Sequence, residues 1–292
     1  MHAEFAWVHG VRTRLLCGGD HGPRVLLIHG FGVTADMWVR IIADLERDHR
    51  VVAPDMLGHG FTEWAPDSRL HPEAYLSDHV GEVMAQLGGE DYVAVGSSLG
   101  GVVATHLLRL ERSRVKGLVL IGTDAPFGPS HSLDPAVLRQ AAANAAKALS
   151  RPSWANCEQR LRNITVAPDT ALADVALVQM TAYAQPDRRT AYEALCAAMI
   201  ESIELGSAAV RPEEIMVPTL VVCGRQDIRA RIDLIRENYQ RIPGAKLLEF
   251  DACGHLPHLE VPQPLAAALR GFIGDCAGEA EGLAGRRPGG LR

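Results

Sequence analysis

The chain has 292 residues, 47% of them hydrophobic and 22% charged, with a formal net charge of -6. That balance fits one globular domain with room for an inserted subdomain and excludes disordered and fibrous classes. Net acidity argues against a nucleic-acid surface, which needs clustered Lys and Arg against phosphates. No apolar run reaches the ~20 residues that span a bilayer, and MHAEFAWVHG lacks a basic segment followed by an apolar one. The expectation is a cytoplasmic protein with no membrane or nucleic-acid partner. Cys17, Cys157, Cys196, Cys223, Cys253 and Cys276 form no CxxC pair, so free, mostly buried thiols are expected rather than a zinc site or a disulfide framework.

In chain order, residues 5–17 read as a hairpin turning near Gly10. RVLLIH (24–29) reads as a strand and Met37–Leu45 as a helix. RVVAPD (50–55) is a strand, Pro72–Leu87 a helix and DYVAVGS (91–97) a strand. A helix then runs to about Arg112, followed by the strand VKGLVLIGTD (115–124). From about 126 to 212 no strand is evident. Helical patterns fill that segment, including Trp154, Cys157, Leu161 and Ile164, and Pro129, Pro135, Pro152, Pro168 and Pro186 divide it into several short helices. Strands resume with TLVVCG (219–224) and KLLEFDA (246–252), with a helix near Leu234–Tyr239 between them and a last helix after Pro264. The expected organisation is a core of 1–125 and 213–276, a helical insertion at 126–212, and a disordered tail at 277–292 that is rich in Gly and charge.

Repeated strand–helix alternation implies a mostly parallel sheet, whose chemistry lies at the carboxyl ends of the strands. The residues there are His29-Gly30-Phe31-Gly32, Asp55, Ser97-Ser98, Asp124, Asp227 and His255. Ser98 stands between a buried strand and an amphipathic helix, with Gly96 and Gly100 two residues to either side. A nucleophilic serine on a sharp turn requires small neighbours at those two positions. The competing reading is a glycine-permitted turn in which Ser98 merely caps the helix.

A serine hydroxyl needs a base to take its proton, and the base needs a third group to fix its tautomer. His255 is the candidate base and Asp227 the candidate acid, with Asp124 as a rival that ends a strand at the same sheet edge. His258 is expected to pack locally. The oxyanion requires two donors, for which the amides of Leu99, at a helix N-terminus, and Phe31 are the candidates.

HGFG (29–32), PDMLGHG (54–60), GSSLGG (96–101), GRQD (224–227) and GHLPHLE (254–260) together resemble the α/β-hydrolase superfamily. The resemblance covers about residues 5 to 275. It implies an eight-stranded, mostly parallel sheet, a helical lid after the sixth strand, and a nucleophile–acid–histidine triad needing no metal or organic cofactor. The segment RLRNITVAPDTALADVALVQMTAYAQP is similar to the lid of meta-cleavage-product hydrolases, which cleave carbon–carbon bonds. Those enzymes carry a lid arginine near where Met180 stands and a tryptophan where Leu256 stands. Arg188 and Arg189, just downstream, read as a solvated turn. Expected substrate contacts are Gly30, Gly32, Trp154, Met180, Tyr183 and Leu256, around an apolar or aromatic small molecule. Three functions stay open: an ester or lactone hydrolase, a carbon–carbon hydrolase of ring-fission dienones, and a non-hydrolytic binding protein. A homodimer is also an open expectation.

Overall fold

The computed structural model describes residues 1–66, 71–110, 114–124, 139, 149–166, 172–205 and 211–284. Strands β1 (His2–Val8) and β2 (Val11–Gly18) pair antiparallel. They turn through His9 and Gly10, both at positive φ (49° and 79°), the backbone that a two-residue hairpin loop demands. Then come β3 (Arg24–Ile28), a 3-10 turn at Ala35–Trp38, α1 (Val39–Leu45), β4 (Arg50–Pro54), α2 (Pro72–Gln86), β5 (Tyr92–Ser97), α3 (Leu99–Leu110) and β6 (Val115–Ile121). The helical insertion contributes α4 (Trp154–Arg162), α5 (Leu172–Tyr183) and α6 (Arg188–Leu205). The core resumes with β7 (Thr219–Gly224), α7 (Ile232–Asn238), β8 (Lys246–Phe250), the short α8 (Pro257–Glu260) and α9 (Pro262–Ala284).

The eight strands lie in the order β1-β2-β4-β3-β5-β6-β7-β8. β2 meets β4 antiparallel, and every pairing from β4 to β8 is parallel. Every residue of β5 and of β7 is buried, as expected for parallel strands covered on both faces by helices. One face is packed by α2, α3 and α7 through Leu76, Val103, Leu107 and Ile235, and the other by α1 and α9 through Ile41, Leu45, Leu265 and Leu269.

A third apolar cluster joins Val33 and Met37, beside the loop after β3, to Cys157, Leu161, Val175, Tyr183 and Tyr192 of the insertion and to Leu256 and Leu259. The insertion thereby packs against the loops that follow β3 and β8.

Two expectations about helix ends are corrected. The last helix starts at Pro262, with a separate turn at Pro257, rather than after Pro264. It also continues through Ala284 instead of giving way to disorder at 277. Extending an existing helix carries no nucleation cost, and Glu279, Ala280 and Glu281 are residue types that favour it. The rest of the tail, 285–292, lies outside the described residues, as do Pro129, Pro135 and Pro168 of the insertion. No described helix is long and apolar enough to cross a membrane.

Candidate active site

Ser98 stands at the crossing from β5 to α3 with φ 54°, a left-handed conformation that costs an L-residue about 1–2 kcal/mol. Its N–H donates to Ile121 O (2.8 Å), and its carbonyl accepts from Gly101 N (2.9 Å), so the turn is held from both sides. Close backbone approach explains the flanking glycines. A Cβ on Gly96 would come 2.1 Å from Gly100 O, and one on Gly100 would come 2.2 Å from Ile28 O. The local strain is thus imposed by packing rather than relieved by it.

His255 Nδ1 lies 2.8 Å from Asp227 Oδ2, whose side chain is fully buried. The second carboxylate oxygen of Asp227 accepts the amides of Arg229 (2.7 Å) and Ala230 (3.1 Å). The aspartate is therefore fixed, and a carboxylate at Nδ1 keeps the proton there and leaves Nε2 as the basic nitrogen. Asp124 is used otherwise: its Oδ2 accepts the N–H of Arg231, just before α7 (3.0 Å). Of the two acids the sequence leaves open, the structure brings Asp227 to His255. Among the described residues Ser98 Oγ makes no hydrogen bond, and such contacts in unliganded enzymes are often long.

The N–H groups of Phe31 and Leu99 are likewise bonded to no other described residue, and Leu99 opens the twelve-residue helix α3. The position of a Cβ on Gly30, 3.3 Å from Ser98 Cβ, places the loop after β3 against the serine. That loop is braced from beneath. His29 Nδ1 donates to Gly30 O (2.7 Å), and its Nε2 accepts Met56 N (3.0 Å). Burial lowers the pKa of His29, which keeps the ring neutral and able to both donate and accept. Asp55, fully buried, accepts Ala35 N, Phe61 N and Arg14 Nη1. Burial disfavours the Arg14 charge, but its bonds to Asp36 and the charge of Asp55 outweigh this and raise its pKa.

The expected substrate contacts divide. Met180 packs in the same apolar cluster as Phe31. Tyr183 is buried, and its hydroxyl donates to Gly32 O at 2.6 Å, so it holds the loop. Leu256 is buried, with its N–H bound to Glu260 (3.1 Å). Trp154 is corrected: at the exposed first turn of α4, 39% accessible, it joins none of the apolar clusters, because the buried stripe of α4 runs through Cys157 and Leu161 instead. Arg188 also departs from a solvated turn. It is 4% exposed and donates to Thr62 O (2.6 Å) and to Asp187, whereas Arg189 pairs with Glu193 at the surface. His258 stacks on Trp38 with centroids 4.5 Å apart, and burial takes its pKa down to about 3.

Sequence reasoning missed two residues. Arg160 of α4 reaches the loop after β3, donating to Gly32 O (2.7 Å) and Phe31 O (3.3 Å). Glu260 accepts from Gly254 N, Leu256 N and Val166 N, while His255 N donates to Ile164 O (2.9 Å). The histidine loop is thus tied both to its own helix and to the insertion. Glu260 stands within the GHLPHLE motif and could have been suspected there; Arg160 gives no local signal. Among the described residues His2, Glu4 and Cys17 bring ligand-type atoms within 4.8 Å of one another. They lie on the edge pair β1–β2, and exposed groups of this kind commonly hold no ion.

The sequence profile of the alpha/beta hydrolase fold family matches residues 23–262. The chain is 28% identical to 2-hydroxymuconate semialdehyde hydrolase of Pseudomonas sp. (strain CF600), over 94% of this chain and 93% of that protein. It is also 28% identical to the pimeloyl-[acyl-carrier protein] methyl ester esterase of Aromatoleum aromaticum, over 86% of this chain and 98% of that one. The crystal structure of the enol-lactonase from Burkholderia xenovorans LB400 superposes with a TM-score of 0.74 at 24% identity, covering 92% and 99% of the two chains.

Proposed function

Because the chain belongs to the alpha/beta hydrolase fold family and is a hydrolase, we propose that it cleaves a carboxylic ester or lactone of a small apolar or aromatic substrate through an acyl-enzyme on Ser98. The observation that carries this reading is Ser98 held at φ 54° on the β5–α3 turn. The Asp227–His255 pair at 2.8 Å supports it with an oriented base. His255 Nε2 takes the Ser98 proton as Oγ attacks the carbonyl carbon. The amides of Phe31 and Leu99 hold the oxyanion, and the leaving oxygen departs with the proton from His255. Water, activated by the same imidazole, then releases the acid and restores Ser98. The insertion acts as a lid, and Met180 and Tyr183 contribute to its apolar underside.

Acyl transfer develops charge on one oxygen only. Carbon–carbon cleavage of a dienone also needs a partner for a remote enolate, and position 180 offers a methionine. A second reading, the carbon–carbon hydrolase, is favoured by one observation: Arg160 brings a cation to the loop from a different helix. A screen of aryl esters, lactones and ring-fission dienones decides between them. Turnover of esters or lactones with a Ser98 acyl adduct trapped by mass spectrometry is expected. Fast loss of dienone absorbance with negligible ester hydrolysis would reverse the ranking.

A further inference from the structure

Several arginines are matched to acids: buried Arg14 to Asp36 and Asp55, and at the surface Arg270 to Asp44 and Asp48 and Arg231 to Asp233. Arg160 and Arg229 depart from that pattern, since neither has a carboxylate partner among the described residues. Their charges nonetheless act on one another. The pKa of Arg229 is lowered by desolvation and next by the charge of Arg160, while Tyr192 and Asp227 act in the opposite direction. Arg229 also follows the candidate acid by two residues and donates its N–H to it. Arg229 is exposed and offset in part by Asp227, and the charge it retains adds to the positive field at Arg160.

Three donors converge on one carbonyl beside Arg160. Gly32 O, with two lone pairs, is approached by Arg160 Nη1 (2.7 Å), Gln179 Nε2 (2.7 Å) and the Tyr183 hydroxyl (2.6 Å). Among the described residues Arg160 commits only Nη1 and Nη2 to protein acceptors, leaving further N–H donors of its fork for a ligand. Aromatic faces flank it: the Tyr183 and Tyr192 rings lie 5.7 and 5.8 Å from its Cζ, and Phe31 stacks on Tyr192 at 4.5 Å. A carboxylate supplies the negative charge that Arg160 lacks and about four lone-pair positions for its fork.

We propose that Arg160 is a carboxylate-binding subsite at the edge of the Ser98 cleft, so that the preferred substrate is an ester whose acyl chain ends in a carboxylate. This rests on the acyl-transfer reading above and narrows it to hemiesters of dicarboxylic acids. The apolar chain lies along Phe31 and Tyr192, and the terminal carboxylate engages the guanidinium fork.

The test compares mono-4-nitrophenyl glutarate with 4-nitrophenyl valerate, esters of equal acyl length that differ in the terminal charge. Wild-type kcat/KM is expected to favour the glutarate. Arg160→Gln should lower the glutarate-to-valerate ratio about 10- to 100-fold, mainly through KM, as loss of a charged hydrogen bond does. Arg229→Gln should lower it less, and Arg160→Lys should keep part of it. An unchanged ratio in Arg160→Gln, or an equal loss on both esters, overturns the subsite and leaves Arg160 as a brace for the loop. Should Arg160→Gln fail to fold by circular dichroism, Arg160→Lys and Arg229→Gln carry the comparison. If neither ester is hydrolysed, the acyl-transfer reading fails by itself, and calorimetry with glutarate on Ser98→Ala reads the subsite separately. Binding weakened about tenfold or more in Ser98→Ala/Arg160→Gln supports it, and absent or unaltered binding refutes it.

Discussion

Glu260 accepts the backbone N–H of Val166 at 2.7 Å across 94 residues of sequence, so a core carboxylate holds the edge of the helical insertion. The same carboxylate takes Gly254 N and Leu256 N, on either side of His255. Glu260→Ala would strand three amides and is expected to destabilise the protein by about 3 kcal/mol or more, in line with breaking a buried charged network. Glu260→Gln keeps one acceptor oxygen and should cost less. Urea titrations give the stability order. Ester turnover in Glu260→Gln should fall as well, because the histidine loop loses part of its anchorage; full activity in that variant would count against a positioning role.

Gly122, at the end of β6, has φ 54°, and a Cβ there would sit 3.2 Å from both Asp227 Oδ2 and His255 Nδ1. Gly122→Ala combines left-handed strain of about 1–2 kcal/mol with pressure on the one hydrogen bond that orients the imidazole. The expected result is a modest drop in melting temperature with a disproportionate fall in kcat. A fall in stability with kcat preserved would mean that the pair tolerates displacement.

How much of this can be read from the sequence depends on range. β5 and β7 announce themselves as unbroken apolar runs because both faces are covered, and the residues that end those runs sit at one sheet edge by topology alone. Asp124 and Asp227 are indistinguishable on that basis. What separates them is the loop after β8, which carries His255 to Asp227, while the start of α7 occupies Asp124. Arg160 is illegible for a stronger reason: it acts on Gly32 at a sequence distance of 128 residues, and nothing in the local pattern of α4 distinguishes it from Arg162, which pairs with Glu158 at the surface. Trp154 misleads because a large apolar side chain in a cleft-covering helix looks like a wall residue, whereas the buried stripe passes on the other side.

Ser98→Ala should abolish hydrolysis while leaving the fold and most of its stability intact, since only a hydroxyl leaves the turn. Ser98→Gly tests the strain separately. Glycine adopts φ 54° freely, so it should raise stability by about 1 kcal/mol and remain inactive. Melting curves of the two variants check the difference. A Gly variant less stable than the Ala variant would mean that the entropy lost by glycine on folding exceeds the relief of strain.

Asp227→Asn should depress turnover by about four orders of magnitude, because the amide no longer holds the Nδ1-protonated tautomer. Asp124→Asn keeps a side-chain oxygen for Arg231 N and should change kcat less than about tenfold. Kinetics on a 4-nitrophenyl ester settle the order, and the reverse order would move the acid to the end of β6.

Acid should weaken the fold through its buried histidines. Burial takes the pKa of His79 down to about 4, with His9 adding to the effect, and that of His258 down to about 3. In the unfolded chain both return to about 6.5. Between those values the unfolded state binds protons that the native state refuses, so stability is fully present above pH ~6.5 and declines as pH falls. Each group contributes about 1.4 kcal/mol per pH unit well below 6.5. His258→Phe isolates one of them. The ring stacked on Trp38 at 4.5 Å is retained, and His258 Nδ1 makes no hydrogen bond among the described residues, so stability at pH 7.5 should stay within about 1.5 kcal/mol of wild type. Urea midpoints of the variant should then fall less steeply than those of wild type between about pH 6.5 and 5. Parallel curves would mean that His258 takes up its proton in the native protein, through an opening of the Trp38 contact.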